Sequence, residues 1–391
     1  MTRRRTLILV SAGLVLALVA AACTSDDDGN QGVAPAQTAA SGAPVDLKGV
    51  CPSTIVVQKD WQPESEHGFL YNLLGKDYQV DTDKKKVTGP LVSQGRDTGV
   101  KIEIRTGGPA VGFQPVPAVM YSDPSIHLGY VATDEAVQYS AKQPTTAVFA
   151  QMDVSPLAII WDPATYPQFN IIADIGQSNA KVLYTKGLSY MEFLVGSGIL
   201  KRNQLDGSYD GSPALFVSSN GTAAFQGFAT SEPYLYQHDI PQWGKPLKFS
   251  LVNDAGFATY FASMSVRAGD KAKLAPCLEK LVPIMQRSQI DFVNNPGPAI
   301  AVILDLVKRY NTGWQYSKGL AEYSAKALKD LGMVDNGPDG VLGNFDMARV
   351  NNIMKIMVPI MAAQRQQPKE GLKAEDIATN EFIDQSVKLG A

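Results

Sequence analysis

Short apolar runs alternate with amphipathic segments over the first part of the chain. Residues 54–57 form a β-branched run typical of a buried strand, and residues 64–74 carry apolar side chains at helical spacing. The same pattern predicts strands at residues 100–105, 126–132 and 145–152, and helices at residues 111–120 and 134–141. Strands that alternate with helices predict parallel pairing in an α/β lobe.

The alternation restarts after residue 156 and predicts a second α/β unit. Its strands are expected at residues 157–161, 181–184, 214–217, 228–230, 249–252 and 260–266, with a helix at 190–200. From residue 271 the pattern changes to long amphipathic helices at residues 274–286, 299–310, 320–331 and 347–364. This tail has no obvious partner except the first unit. Two chain crossings between the lobes, near residues 151–156 and 251–262, are the economical topology.

The N-terminal residues have the pattern of an export signal. Three arginines at positions 3–5 precede an apolar run over residues 7–19, and three alanines stand directly before Cys23. The run is too short to span a bilayer comfortably, although an uncleaved anchor is the alternative. The polar, low-complexity stretch that follows cannot bury enough apolar surface to offset the entropy of ordering. We therefore expect a signal peptide over residues 1–22 and a flexible tether over residues 23–50.

Composition and charge exclude some classes of function. The chain is 45% hydrophobic and 19% charged, as in ordinary globular proteins, and its formal charge of −3 gives no electrostatic footprint for nucleic acid. Besides Cys23, which follows the apolar run, the chain contains Cys51 and Cys277. An oxidising extracytoplasmic compartment favours a disulfide between them, and two unpaired cysteines are the alternative.

The candidate binding residues are those that directly follow the predicted strands, because ligands of open α/β sheets bind beyond the carboxyl ends of the strands. They are Asp60, Trp61, Gly107, Gly108, Asp134, Ser189, Glu232 and Tyr234. Together they offer an aromatic face, backbone N–H donors and several carboxylates. That mixture suits a small polar or heteroaromatic solute.

Each candidate also has a purely structural interpretation. Gly107 and Gly108 would let the backbone approach a ligand, or would make a plain strand-to-helix turn. Trp61 is either a stacking platform or a core residue. Glu232 would accept hydrogen bonds from ligand nitrogens, or would be solvated or cap a hinge. His67, early in the first helix, is typical of a helix surface or a pocket rim.

Motifs for catalysis and metal binding are scarce. The three histidines form no pair at metal-ligand spacing, and the sequence has no G-x-S-x-G, P-loop or G-x-G-x-x-G pattern. Residues 335–346 place aspartates at EF-hand offsets, but Gly337 holds the third position and the short Asp346 the last. A turn before the next helix explains these residues as well. We expect no metal, no cofactor and no enzymatic activity.

At this point the residues resemble the solute-binding proteins of ABC importers. More narrowly, they are similar to the group of nitrate-, sulfonate- and taurine-binding proteins and thiamine-pyrimidine-binding proteins. The matching stretches are Asp60-Trp61, Glu66-His67-Gly68-Phe69, and residues 100–108, 131–136 and 227–234. The segment before Cys23 resembles the lipobox of bacterial lipoproteins, with Ala20 where Leu or Val is usual. The likeness covers most of residues 51–267.

The resemblance implies a type II periplasmic-binding-protein fold, α/β in class, with two lobes joined by two crossovers. Residues 51–152 and 262–391, including the helical C-terminal tail, would form lobe 1, and residues 153–261 lobe 2. It also implies that the candidate binding residues lie near the cleft, with His67 among them. An insertion over residues 76–99 departs from the family pattern and is expected at the cleft rim.

For function, the resemblance implies an extracytoplasmic lipoprotein on the outer face of the cytoplasmic membrane, anchored through a lipid on Cys23. Its partners would be an ABC permease and a small solute, pyrimidine-like first and a sulfonate or similar organic anion second. One alternative is a surface lipoprotein without a small ligand. Another is an enzyme of the thiamine-pyrimidine synthase type, but this chain lacks the cysteine cluster of those enzymes.

Overall fold

The computed structural model describes residues 45–390. The expected signal peptide, the lipidated Cys23 and the tether as far as residue 44 lie outside these residues. Residues 45–50 pack on the folded body, because Leu47 is fully buried and its N–H donates to Thr98 O at 2.9 Å. Within the described range, no single helix is long and apolar enough to cross a membrane. The bent pair spanning residues 268–310 meets those two criteria only jointly.

Two β-sheets organise the described chain. The strands are β1 Thr54–Gln58, β2 Gln79–Asp81, β3 Lys86–Ser93, β4 Arg96–Arg105, β5 Leu128–Val131, β6 Thr145–Phe149, β7 Leu157–Trp161, β8 Lys181–Leu183, β9 Leu205–Asp206, β10 Ala223–Phe228, β11 Lys248–Leu251 and β12 Ser263–Arg267. Most of them coincide with predicted apolar runs. Each sheet forms the centre of one lobe.

The first sheet has seven strands in the order β2-β3-β4-β1-β5-β12-β6. Strand β1 pairs in parallel with β4 and β5, as the alternation of strands and helices predicts. Strand β12 runs antiparallel to both β5 and β6 because the chain enters it on its return from the other lobe. The β-branched run of β1 lies at the centre, with Ile55, Val56 and Val57 buried.

The second sheet has five strands in the order β11-β7-β10-β8-β9. Strands β10 and β8 pair in parallel, whereas β7 is antiparallel to both β10 and β11. The chain passes between the sheets twice, at residues 150–156 and 252–262. Both crossovers fall where the sequence predicts them.

Twelve α-helices flank the sheets in the described part of the chain. They are α1 Gly68–Asn72, α2 Val116–Ser122, α3 Thr133–Tyr139, α4 Ile172–Gln177, α5 Ser189–Gly196, α6 Ala214–Ser218, α7 Glu232–Tyr234, α8 Lys271–Asn294, α9 Gly297–Tyr310, α10 Lys318–Asp330, α11 Met347–Ala363 and α12 Ala374–Ile377. Short 3₁₀ turns add to them, notably Ser65–His67 directly before α1, and a π-helical turn Leu235–Asp239 follows α7.

The helical tail packs mainly on the lobe of the first sheet. Helices α8 and α9 contact α1, and α10 contacts the 3₁₀ turn Ser65–His67. Helix α11 lies against α3 of this lobe and also against α5 of the other. A disulfide joins Cys51 to Cys277 in α8, with the two Cα atoms 4.7 Å apart. The start of the folded body is therefore fixed to the longest helix of the tail.

Two predicted strands differ from the structure. The expected strand at residues 214–217 is helix α6, and the strand of this region is β10, which ends at Phe228 where the sequence predicts a strand to begin. A turn with Gly221 at φ +75° separates α6 from β10. Short apolar runs do not distinguish a strand from a buried helical turn, which explains the error.

The insertion over residues 76–99 forms strands β2 and β3 and the beginning of β4. These strands are antiparallel and extend the outer edge of the first sheet. At the tip of this hairpin, Lys85 O accepts a hydrogen bond from Thr106 N at 3.0 Å, directly beyond the end of β4. One end of the insertion therefore approaches the strand ends where the candidate binding residues lie.

Candidate ligand-binding site

Direct bonds connect the two lobes at the candidate site. Asp134, at the start of α3 in the first lobe, accepts a hydrogen bond from Ser189 Oγ, at the start of α5 in the second lobe, at 3.2 Å. Its other carboxylate oxygen accepts from Thr259 Oγ1 in the return crossover at 2.7 Å. Burial raises the pKa of Asp134. Two of the residues chosen from the sequence, one from each lobe, thus meet across the cleft.

Asp60 and His67 form a largely buried pair behind the end of β1. The His67 Nε2 atom lies 3.1 Å from Asp60 Oδ1, and its Nδ1 atom lies 3.4 Å from Glu64 Oε1. The imidazole is 1% exposed, and burial, together with the nearby charge of Lys59, lowers its pKa to about 4. Near neutral pH His67 is therefore an uncharged group that lies against Asp60.

The glycine pair after β4 supports the loop that carries Trp61. Gly107 N–H donates to Trp61 O at 3.0 Å and Gly108 N–H donates to Asp60 O at 2.9 Å. A Cβ on Gly107 would lie 2.3 Å from Lys59 O, so only glycine fits there. Both amides are therefore already hydrogen-bonded within the protein and do not serve as donors to a ligand. The group that this loop offers to a ligand is the Trp61 ring.

Trp61 is half-buried in an aromatic group. Its ring lies 6.1 Å from that of Phe113 and 6.1 Å, edge-on, from that of Trp314, which precedes α10. The Trp314 ring stacks on Tyr316, whose hydroxyl accepts a hydrogen bond from Ser65 N at 2.8 Å. Aromatic faces of this kind suit a flat, apolar-faced solute. The tail residues Trp314 and Tyr316 are not among the candidates from the sequence, because nothing in their local pattern relates them to strand ends.

Tyr234 lies between the second lobe and helix α10. Its ring packs 5.5 Å from that of Tyr323, and its hydroxyl occupies the space where Gly319 would carry a Cβ. Close by, Tyr323 donates to Ala229 O at 3.1 Å, and Ser317 donates to Asp239 at 2.7 Å. Helix α10 is thus bonded to the second lobe, and Tyr234 contributes to that contact.

Three glutamates come together where the 3₁₀ turn before α1 faces the second lobe. Glu64 and Glu66 lie on or beside this turn, and Glu232 begins α7 and accepts a hydrogen bond from Phe228 N at 2.7 Å. Burial and the charge of Glu66 raise the pKa of Glu232 to about 7, and burial and the same neighbour raise the pKa of Glu64 well above its ordinary value. Burial also raises the pKa of Glu66.

Only Glu232 of these three is a candidate from the sequence. The pattern Glu-Ser-Glu-His looks like a solvated first turn of a helix, and its burial depends on α10 of the distant tail. The sequence feature that could have identified Glu64 and Glu66 is a pair of glutamates two positions apart, close behind the end of a predicted strand.

The cation nearest in sequence to this group is Lys59, at the end of β1. It is fully buried, and its ammonium donates to Gln62 O at 2.6 Å and to the Tyr71 hydroxyl at 3.1 Å. Burial lowers its pKa to about 8, an effect that the charge of Glu64 partly offsets. Among the described residues, Lys59 makes no ion pair with a carboxylate.

No metal site accompanies these acids. Within residues 45–390, no group of three or more His, Cys, Asp or Glu side chains is placed to hold a metal ion. In the segment with EF-hand offsets, the Asp346 carboxylate accepts from the N–H groups of Ala348 and Arg349 and so caps α11. The turn interpretation of that segment accounts for its structure.

Arg349 of α11 bonds to both crossovers. Its Nε and Nη2 atoms donate to Ala258 O at 2.7 Å and Thr259 O at 3.0 Å in the return crossover. Its Nη1 atom lies 3.2 Å from Asp153 Oδ1 in the first crossover. The guanidinium also lies 3.8 Å above the Tyr260 ring. One side chain therefore holds together the two segments about which the lobes would move.

Comparison with solved structures shows the fold. The protein is similar to the periplasmic aliphatic sulphonate binding protein SsuA of Escherichia coli, with a TM-score of 0.51 and 15% identity over 87% of this chain and 95% of that one. It is similar to a sulfonate-binding SsuA of Methylobacillus flagellatus KT, with a TM-score of 0.50 and 12% identity over 86% and 93%. A protein from Bordetella bronchiseptica RB50 aligns with a TM-score of 0.52 and 14% identity over 85% and 96%.

The fold is that of the two-lobe periplasmic binding proteins. The chain covers nearly the whole length of each of these structures, and the predicted architecture, with two lobes, two crossovers and a helical tail, is confirmed. The sequence itself matches no protein-family model and no curated protein. At such low identity the likeness establishes the fold, and the chemistry of the cleft has to be argued from its own residues.

Proposed function

We propose that this protein is a solute-binding lipoprotein of an ABC importer that captures a small heteroaromatic solute between its lobes without altering it chemically. A lipid on Cys23 would hold it on the outer face of the cytoplasmic membrane, and the permease would recognise its closed form. The observation that carries the proposal is the meeting of Asp134 and Ser189 across the cleft of a two-lobe fold. Ligand contacts to both lobes exist only in the closed form, so ligand binding favours closure.

The aromatic group around Trp61 supports a flat solute. The Trp61 ring is half-buried, and Phe113, which lies against it, is 68% exposed. A planar ring that covers both side chains would remove apolar surface from water. A pyrimidine-like compound therefore suits the cleft better than an aliphatic one.

Calorimetric titration against pyrimidines, other heteroaromatic compounds and sulfonates tests the proposal, together with small-angle scattering of each mixture. We expect at least one heteroaromatic compound to bind and to reduce the radius of gyration. Trp61→Ala should weaken that binding at least tenfold, whereas the control Ile171→Ala, a truncation of an exposed side chain, should leave it unchanged. Chemical turnover of a compound, or scattering that stays constant across the panel, contradicts the proposal.

A further inference from the structure

Resting on the proposed function, we infer that the solute carries a positively charged nitrogen group, held by Glu64 and Glu66 of the first lobe and Glu232 of the second. The group would be an ammonium, amidinium or protonated ring nitrogen beside the aromatic portion. Carboxylates from both lobes would then share one cation, which links recognition of charge to closure.

The placement of the three glutamates follows from the backbone around them. Helix α10 fixes the turn that carries Glu66, because Ser65 Oγ donates to Ala321 O at 2.8 Å. The same helix holds the end of β10, because Tyr323 donates to Ala229 O at 3.1 Å. Glu232 stands three residues beyond Ala229. Glu66 and Glu232 therefore stand on segments of the two lobes that α10 connects, and the charge of Glu66 acts on both Glu64 and Glu232.

An unpaired carboxyl oxygen of Glu66 points to a ligand. Glu66 is 7% exposed, and its Oε2 atom makes no hydrogen bond within the described residues. The Thr230 and Ser324 hydroxyls, both fully buried, flank this carboxyl. Leaving a buried carboxyl oxygen without a hydrogen bond is costly, because the oxygen loses the water that would otherwise solvate it. A ligand with several N–H donors would satisfy the carboxylate, and the hydroxyls would accept from it as well.

The cationic side chains of the protein do not fill this role. The ammonium of Lys59 is directed to Gln62 O and the Tyr71 hydroxyl, and His67 is neutral near pH 7 because its pKa is about 4. Among the described residues, Glu66 and Glu232 therefore make no ion pair with a cationic side chain, and Glu64 contacts the neutral His67. The charge of Lys59 acts on Glu64 and Glu66 without forming an ion pair with them in the described chain. An anion such as a sulfonate would meet repulsion here, whereas a cation would gain charge-assisted hydrogen bonds.

Binding should depend on pH in a defined direction. The carboxyl of Glu232 has a pKa of about 7, so it holds a proton in much of the free protein below that pH. Burial also raises the pKa of Glu64 and Glu66, and burial lowers the pKa of Lys59 to about 8. A bound cation favours the ionised carboxylates and the neutral lysine, so the affinity for a cation should rise as pH increases from 6 to 8. The affinity for a neutral compound should change little over this range.

Benzamidine, benzamide and benzenesulfonate make a matched set of probes, because they share one ring and differ in charge. Titration calorimetry and thermal shift on the full protein should show benzamidine bound at least tenfold more tightly than benzamide at pH 8, and benzenesulfonate not bound. Glu66→Gln and, separately, Glu232→Gln should each remove most of that preference. The control Glu322→Gln makes the same change of charge at an exposed position of α10 and should retain it.

Three outcomes overturn the inference. They are tighter binding of benzenesulfonate than of benzamidine, no benzamidine binding at millimolar concentration, and an unchanged preference in both folded cleft variants. Circular dichroism establishes whether each variant is folded, and the pH profile of the wild-type protein tests the inference without any substitution. Failure of the proposed function looks different, because in that case no solute of any charge binds and compacts the protein.

Discussion

Burial governs the chemistry of the acidic side chains around the cleft. Glu135, which follows Asp134 at the start of α3, shows the effect most simply, because burial and the Asp134 carboxylate raise its pKa to about 8. The folded protein therefore keeps a proton on Glu135 over a pH range in which the unfolded chain, with a pKa near 4.5, has lost it. Between these values the folded state binds more protons, so stability falls as pH rises.

Glu135→Gln should remove this dependence. We expect the variant and the wild type to have similar free energies of unfolding at pH 5, and the variant to be the more stable by about 4 kcal/mol at pH 8. Urea unfolding at the two pH values measures the difference. Equal stability of the two proteins at pH 8 would show that Glu135 is ionised in the folded state.

Ser189→Ala should loosen the closed form. The variant removes the donor that reaches Asp134 across the cleft, and a single hydrogen bond contributes about 1 kcal/mol. The ratio of closed to open molecules should fall about fivefold, seen as a larger radius of gyration in solution scattering. Ser197→Ala is the matched control, because that hydroxyl bonds to Phe193 O within α5. Identical scattering of the wild type and Ser189→Ala would contradict the role of this bond.

Some residues of the candidate site can be identified from the sequence alone, and others cannot. Asp60, Asp134 and Glu232 follow strands, and a general rule about strand ends selects them from the sequence alone. Glu66 escapes that rule because its burial comes from α10, more than two hundred residues later in the chain. The role of Gly107 likewise depends on the close approach of another loop, which local sequence does not encode.

Among the elements, α11 has the most direct connection to lobe movement. It packs on α3 of one lobe and α5 of the other, and Arg349 on it bonds to both crossovers. Its partner Asp153 is largely shielded from water, unlike most ion pairs of this surface. A shielded ion pair is costly to break by removing one member, because the other is left uncompensated.

Arg349→Met should therefore destabilise the protein by about 3 kcal/mol. It should also broaden the distribution of lobe distances, measured between spin labels on the two lobes. Arg202→Met is the control, since Arg202 pairs with Glu192 at the surface and its side chain is 60% exposed. Its loss should cost at most about 0.5 kcal/mol. Similar effects of the two substitutions would argue against a hinge role for Arg349.

The sequence predicts secondary structure best for long segments, in which the hydrophobic pattern repeats many times. Three of the four long tail helices, α9, α10 and α11, and both crossovers lie close to their predicted bounds, because amphipathic periodicity over many residues is a strong signal. The fourth, α8, continues eight residues beyond its predicted end. The strand prediction at helix α6 is wrong, because a five-residue apolar run fits both structures. The hairpin of β2 and β3 is recognisable as an insertion, but its strand pairing depends on the edge that β4 offers.

At the scale of the whole molecule, one covalent link joins the start of the folded body to helix α8 of the tail. The disulfide between Cys51 and Cys277 spans 226 residues and includes the whole of the second lobe in its loop. Closing so long a loop lowers the entropy of the unfolded chain and so stabilises the folded state. Removal of a native disulfide typically costs about 2–5 kcal/mol of folding free energy.

The double variant Cys51→Ser with Cys277→Ser should lower the free energy of unfolding by about 3 kcal/mol. Urea unfolding of the variant and the wild type measures it, with reductant added to the wild type as a second comparison. Mass spectrometry of exported protein under non-reducing conditions should find no free thiol at these two positions. Two free thiols would rule the bridge out.

Helix α10 has a consequence for the proposed role in solute binding. Its Ser317 and Tyr323 bond to the second lobe, and Ser189 adds a further bond across the cleft. At about 1 kcal/mol each, these bonds offset part of the free energy needed to bring the lobes together. In a solute-binding protein of the proposed kind, less of the solute's binding free energy would then be used to bend the hinge, so capture would remain efficient when the solute is scarce.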